Sequence, residues 1–337
     1  MSYMKIKFSI IIPCYNVAVF LPKLFDSIQR QKDNEIEYIF VDDGSVDNTG
    51  VLLDNFCKYN QTAKVLHQKN AGVCVARNTG LKTAQGDYVF FLDGDDYLTD
   101  NASEIFTKVV DDGTDIVCFK NLVQMGGYDS HKKLSLTTSK IPNGIYDVDS
   151  FLTFDDIALG GEVFRMYRRQ MLNKNRITFD VDLPMGEVTA FFIHCLVNSK
   201  KIQMCDAAVM VYLVRQNSIS RTVNFETDYK IFDALERIQD YCDKHSLGLK
   251  ELYAIKRIVV NFALGFTVNK YAKGGLSWCA EIARCFERIK KDKYYRRCFR
   301  SIVFDSKSRK ITRLIALIVT ICQPRLAYKL MKVKSNS

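Results

Sequence analysis

Apolar positions along this chain alternate between two rhythms. Phe8-Ser9-Ile10-Ile11-Ile12 is a near-continuous β-branched run stopped by Pro13, the pattern of a parallel strand buried on both faces. Phe20, Leu21, Leu24, Phe25 and Ile28 then share one face of a helix. The alternation repeats. Residues 36–41 read as a second strand, 51–59 as a helix with Asp47 or Asn48 as its N-cap, and 63–66 as a short third strand. A helix over 71–83 leads through Gly86-Asp87 into the strand Tyr88-Val89-Phe90-Phe91-Leu92. Another helix follows Asp100, then a strand over 115–119.

Buried strands interleaved with helices predict an α/β fold built on a doubly wound, mostly parallel sheet. In such a sheet ligands bind beyond the carboxyl ends of the strands. Pro13-Cys14-Tyr15-Asn16, Asp42-Asp43-Gly44-Ser45 and Asp93-Gly94-Asp95-Asp96 all fall on that edge. Residues 121–150 are polar and read as a hairpin and loop, and 151–215 are mixed in pattern. From residue 226 helical periodicity returns (Ile231, Leu235, Ile238; Ile255, Ile258, Val259, Phe262), which predicts a C-terminal helical appendage.

At 337 residues the chain holds one large domain with an appendage, or two domains. Its 11 cysteines are scattered without C-x-x-C spacing, and its 4 histidines (His67, His131, His194, His245) are equally dispersed. This supports neither a disulfide framework nor a thiolate zinc site and suits reduced thiols in a cytoplasmic compartment. The apolar run after Lys5 and Lys7 is too short for a signal-peptide core. No uninterrupted apolar stretch reaches the roughly 18–20 residues that span a bilayer. Charge is uneven: residues 241–337 carry 22 Lys and Arg against 6 Asp and Glu, the first 240 residues 26 against 32. A basic tail on a mildly acidic body implies a separate task for the tail.

Asp93, Asp95 and Asp96 place three carboxylates in four residues, which repel unless water or a cation intervenes. After a buried strand, the expected cation is a divalent metal that holds a phosphate-bearing ligand.

The four ordered segments Ser9–Asn16, Val41–Thr49, Asn70–Gly80 and Phe91–Asp96 resemble the inverting family-2 glycosyltransferases of the GT-A fold, especially bacterial enzymes that build surface polysaccharides. The likeness is dense over residues 6–100 and looser to 220. It implies a GT-A domain over 1–220, with a nucleotide-binding half at 6–120 and an acceptor half at 121–220, followed by a basic helical region at 221–337. It also implies a metal-dependent hexosyl- or N-acetylhexosaminyl-transferase that takes a UDP-sugar donor and a glycan or lipid-linked glycan acceptor. In the family's pattern Tyr15 stacks on uracil and Asp43 accepts the uracil N–H, with Pro13 lining the same pocket. Asp42 serves the nucleotide or caps a turn. Arg77 reaches the pyrophosphate or a base carbonyl, while Asn78 and Gly80 shape helix packing. Asp95 ligates Mn²⁺ or Mg²⁺, Asp93 meets the ribose or the metal's water shell, and Asp96 caps a helix or meets the acceptor. Arg215, in Tyr212-Leu-Val-Arg215, offsets diphosphate charge.

One departure bears on mechanism. The family's Gly-Glu-Asp segment, whose aspartate takes the acceptor proton, here reads Gly186-Glu187-Val188. Adjacent helical side chains point about 100° apart, so Glu187 does not simply replace the aspartate. Glu187 remains the candidate base, with Asp180 and Asp182 as substitutes. The alternative is a nucleotide-sugar-binding protein with impaired catalysis. A nucleotidyltransferase on a similar sheet would need a Gly-rich loop after the first strand, which Pro13-Cys14-Tyr15-Asn16 is not. The tail over 288–313 interleaves Tyr294, Tyr295, Phe299 and Phe304 with basic residues and precedes the apolar run 314–322. That pattern suits an in-plane anchor on an anionic membrane, placing the protein peripherally at the inner face of the cell membrane, or else a buried helix with a solvated basic face. No nucleic-acid module accompanies the charge.

Overall fold

The computed structural model describes residues 6–32, 35–110, 113–125, 133–137, 139–154, 164–183, 185–214, 231–245, 247 and 255. The chain divides into two compact units. The first comprises Met1–Phe151, Gly161–Asp182 and Glu187–Gln216; the second comprises Leu152–Gly160, Leu183–Gly186 and Asn217–Ser337.

The first unit follows the expected alternation: β1 (Phe8–Cys14), α1 (Leu21–Gln29), β2 (Ile36–Asp42), α2 (Thr49–Tyr59), β3 (Ala63–His67), α3 (Val73–Thr83) and β4 (Tyr88–Phe91). Next come β5 (Tyr97–Leu98), α4 (Ala102–Val109), β6 (Ile116–Phe119), β7 (Asn121–Met125), β8 (Lys133–Thr137), β9 (Gly144–Tyr146) and α5 (Val148–Leu152). The remaining elements are β10 (Arg165–Arg168), α6 (Arg169–Lys174), α7 (Glu187–Asn198), β11 (Ile202–Cys205) and β12 (Met210–Leu213). An eight-stranded sheet has the order β3-β2-β1-β4-β10-β6-β11-β9. It is mostly parallel, with β10 antiparallel to β4 and β6, and β9 antiparallel to β11. The 121–137 region forms the β7/β8 hairpin of a second sheet, β5-β12-β7-β8.

Strand order reverses between β1 and β4, the switch point where open α/β sheets bind ligands. Phe8, Ile10, Ile12 and Cys14 enter the core shared with Leu21, Leu24 and Ile28 of α1, Leu53 of α2 and Phe106 of α4. The opposite face meets α3, where Gly80 is required: a Cβ there would lie 2.4 Å from Ile11 Cγ2. Phe91, Phe179 and Phe191 fill the rest of that face, with Phe179 and Phe191 stacked at 4.1 Å.

Pro13 does not end β1, which continues to Cys14 beside β2. Odd residues of β1 bond toward β4 (Tyr88 N to Lys7 O, Leu92 N to Ile11 O), whereas the Cys14 carbonyl accepts from Asp43 N. The N–H that proline lacks therefore faces the side where β4 has already ended at Phe91.

At the other end of these strands, Glu37 is buried. It accepts from Ser9 Oγ, Gln85 N and Lys64 Nζ, and the Ser9 hydroxyl oxygen accepts from Gly86 N. A Cβ on Gly86 would sit 2.6 Å from Phe8 C and Ser9 N. Gly86→Ala should therefore lower stability by about 1–3 kcal/mol, read as a shift in the urea midpoint at unchanged slope.

In the second unit the described helix is α8 (Ile231–Lys244), with Ala234, Ile238 and Cys242 buried at a four-residue spacing. The rest of the expected appendage, with the basic tail, lies outside the described residues, as does Arg215. Among the described residues no helix is long and apolar enough to cross a membrane.

Candidate active site

The loops after β1 and β2 are fastened to each other. Asn16 adopts a left-handed conformation (φ 52°), which asparagine tolerates, and its Oδ1 accepts from Val46 N at 2.9 Å. The backbone N–H groups of Asn16, Val17 and Ala18 donate to Ser45 Oγ, Thr49 Oγ1 and Asp47 Oδ2. Asp47 also accepts from Thr49 N at 2.9 Å, so α2 begins at Thr49 rather than at residue 51. Between the braced loops Tyr15 stays half exposed (50 %) and does not pack into the core.

Asp43 is buried and joins the β2 loop to the loop before α3. Its Oδ1 accepts from Gln68 Nε2 (2.7 Å) and Ala71 N (2.9 Å), and its Oδ2 from Gly72 N (2.8 Å). A carboxylate offers about four lone-pair sites, so Oδ2 can accept one more N–H. The neighbouring Asp42 closes the turn to Ser45 N (3.0 Å) and meets His67 Nδ1 (2.9 Å). The turn is one of the two roles expected of it.

Beyond β4, oxygens of Asp93, Asp95 and Asp96 lie within 4.8 Å of one another. Gly94 permits the approach to β1: a Cβ there would sit 2.9 Å from the Pro13 carbonyl and 3.0 Å from Cys14 Sγ. Cys14 registers the acidic surroundings. Burial pushes its thiol well up, and Asp42, Asp95 and Asp93 push it further. An all-carboxylate donor set fits a hard cation such as Mg²⁺ or Mn²⁺. Asp96 is buried and its Oδ1 accepts from Leu213 N at 2.9 Å, tying the acidic run to β12.

Arg77, on α3, is buried. Its Nη2 donates to Asp93 Oδ1 at 2.8 Å and its Nη1 to Glu187 Oε1 at 3.4 Å; the three side chains are 4 %, 39 % and 20 % exposed. Burial works to lower the guanidinium pKa, but Asp93 and Glu187 outweigh it and hold it above its ordinary value. The Phe179 ring lies 5.2 Å beneath the guanidinium. Asn78 holds Phe179 by both backbone groups, accepting from its N–H and donating to its carbonyl. Among the described residues the buried Arg77 Nε has no hydrogen-bond partner. The guanidinium, expected to reach a pyrophosphate or base carbonyl, is flanked by two of the protein's own carboxylates.

Glu187 opens α7, while Val188 is 5 % exposed and turned into the core. Glu187 also acts on Cys74, whose thiol is pushed up to about 12 by burial and by that carboxylate. Pro13, Tyr15, Asp42, Asp43, Arg77, Asp93, Asp95 and Glu187 thus occupy one edge of one unit. Sequence reasoning missed His67 and Gln68, which hold Asp42 and Asp43 in turn. Their signal was position: His67 ends β3 and Gln68 follows it, on the carboxyl edge.

A sheet with this switch point and this acidic run matches the GT-A architecture. Crystal structures of Staphylococcus aureus TarS share it: residues 1–349 in complex with UDP-GlcNAc superpose with a TM-score of 0.70 at 19 % identity, covering 98 % of this chain and 92 % of that one. The chain belongs to glycosyl transferase family 2, whose sequence model matches residues 9–176. It is 29 % identical over 223 residues to the Bacillus subtilis glycosyltransferase EpsJ, covering 63 % of this chain and 62 % of EpsJ. It is 31 % identical over 199 residues to the Staphylococcus aureus poly(ribitol-phosphate) beta-N-acetylglucosaminyltransferase TarP, covering 58 % of each. The match thus spans less than two thirds of either relative.

Proposed function

We propose that this chain transfers a hexose or N-acetylhexosamine, with inversion, from a UDP-sugar to an acceptor hydroxyl. The acceptor is a glycan or lipid-linked glycan in bacterial surface polysaccharide synthesis. The observation that carries the reading is the buried Arg77, which joins Asp93 on the leaving-group side to Glu187 at the head of α7. Tyr15 offers a face for uracil, and Asp43 accepts its N–H through the remaining Oδ2 site. Asp95 would hold Mn²⁺ or Mg²⁺, with Asp93 at the ribose or the metal's water shell. Such a cation, when bound, supplies positive charge to the departing diphosphate. Glu187 takes the proton from the attacking hydroxyl, held in place by Arg77. Arg77 also keeps Asp93 aimed at the ribose side, and Arg215 offsets diphosphate charge.

The domain division at residue 220 belongs to the same proposal. So does recruitment of the basic C-terminal region to an anionic membrane at the inner face, where a lipid-linked acceptor resides.

The test is UDP release from a panel of UDP-hexoses and UDP-N-acetylhexosamines with Mn²⁺ and candidate glycan acceptors, run beside thermal-shift binding. Turnover of one donor that rises with acceptor is expected. A donor that stabilises the fold but never turns over would favour the binding-protein alternative, for which Val188 is the motive. Failure of every UDP-sugar to bind would sink the reading.

A further inference from the structure

His67 ends β3 and sits between two carboxylates from different elements. Its Nδ1 lies 2.9 Å from Asp42 Oδ2 on β2, and its Nε2 lies 3.1 Å from Asp54 Oδ1 on α2. The first turn of α2 closes over the ring, since a Cβ on Gly50 would lie 3.5 Å from His67 Cε1. Asp42 and Asp54 are the charged groups acting on the ring among the described residues. Cys57, one turn along α2, is pushed up to about 11 by burial and by Asp54, so it stays neutral near pH 7.

A neutral imidazole has one N–H and one lone pair. Between two carboxylates it satisfies one and turns a lone pair toward the other, whereas the imidazolium donates to both. The geometry therefore matches the protonated ring. Consistent with this, the His67 pKa is raised, first by the hydrogen bond to Asp54 and then by that to Asp42.

What the ring holds is the nucleotide side of the site. Asp42 closes the turn through Ser45 N, and Gln68 N donates to the Asp42 carbonyl. The Gln68 side chain donates to Asp43 and accepts from Thr79 Oγ1 of α3. Two consecutive residues at the end of β3 thus hold two consecutive aspartates at the end of β2.

We propose that His67 is a positioning residue of the donor pocket: with both ring nitrogens donating, it holds the Asp42–Ser45 turn, and through it Asp43, in the arrangement that receives the nucleotide, so donor affinity weakens as this ring loses its proton. This rests on the reading of the site as a UDP-sugar site. The sign follows from the raised pKa. The imidazolium's contribution is complete below the unfolded value of about 6.5 and is lost as pH climbs through the folded value. The ring is 47 % exposed at its side chain, so the effect is modest.

The experiment measures Kd for UDP-GlcNAc at fixed Mn²⁺ from about pH 6 to about pH 8.5, on wild type, His67→Gln and Asp54→Asn. This donor is a diphosphate diester with no proton to lose in that range. Histidine ring signals and the amide signals of Gly44 and Gly72 are followed by NMR without ligand. Kd in wild type is expected to weaken about three- to five-fold with the midpoint of the His67 ring. His67→Gln should show a flat profile, and Asp54→Asn a lower midpoint. The same slope in His67→Gln, or Gly44 and Gly72 amides indifferent to the ring's titration, would overturn the proposal. If UDP-GlcNAc binds at no pH, the choice of donor is wrong, and the coupling of ring to loop is decided by the two glycine amides alone.

Discussion

Asp95→Ala should cost two to three orders of magnitude in turnover while leaving the fold as stable as before or slightly more so. The two signs come from one geometry. Three carboxylates with oxygens inside 4.8 Å repel one another, and removing one relieves that repulsion in the ligand-free protein. In the proposed site the same side chain would supply a hard oxygen ligand where the diphosphate departs, and losing it would withdraw about 3–4 kcal/mol of transition-state stabilisation. Mn²⁺ affinity should fall in parallel, measured by calorimetry, and the thermal midpoint should hold. Unchanged UDP release would remove Asp95 from the site. A loss of activity matched by an equal loss of stability would mark it as structural.

Glu187→Gln is the second large effect. The amide keeps an oxygen that can accept from Arg77 Nη1, so the local geometry survives while the proton acceptor is gone. Turnover is expected to fall about 10²–10⁴-fold with little change in the donor KM. Val188→Asp supplies the control, because it restores the family's carboxylate one residue on. If Glu187 is the base, Val188→Asp alone changes little, and the double variant Glu187→Gln with Val188→Asp regains part of the loss. Full activity in Glu187→Gln, with loss in Asp180→Asn or Asp182→Asn, would move the role to the turn before α7.

The legible part of this fold was the part governed by local pattern. β1, β2 and β4 are buried on both faces, so their apolar runs announce strands, and the polar segments that follow announce an edge. β10 was not legible as a central strand. Arg-Met-Tyr-Arg looks like surface, yet three of its four residues are buried. Arg165 is tolerated there because its guanidinium lies 3.9 Å from the Phe192 ring, a partner 27 positions away that no local window contains. Arg77 follows the same logic. Its motif position marked it as functional, but its partners lie 16 and 110 residues along the chain, so the ion pairs that define its surroundings appear only in three dimensions. His67 looked like one of four dispersed histidines for the same reason.

The fastening between the β1 and β2 loops has a thermodynamic corollary. Three consecutive backbone donors from Asn16 to Ala18 end on side chains of a single neighbouring loop, so the two segments that frame Tyr15 lose their freedom when the protein folds. A nucleobase arriving there meets walls already at rest. Little ordering entropy is left for the donor to overcome on that side, and binding strength there should follow contact quality rather than loop rearrangement.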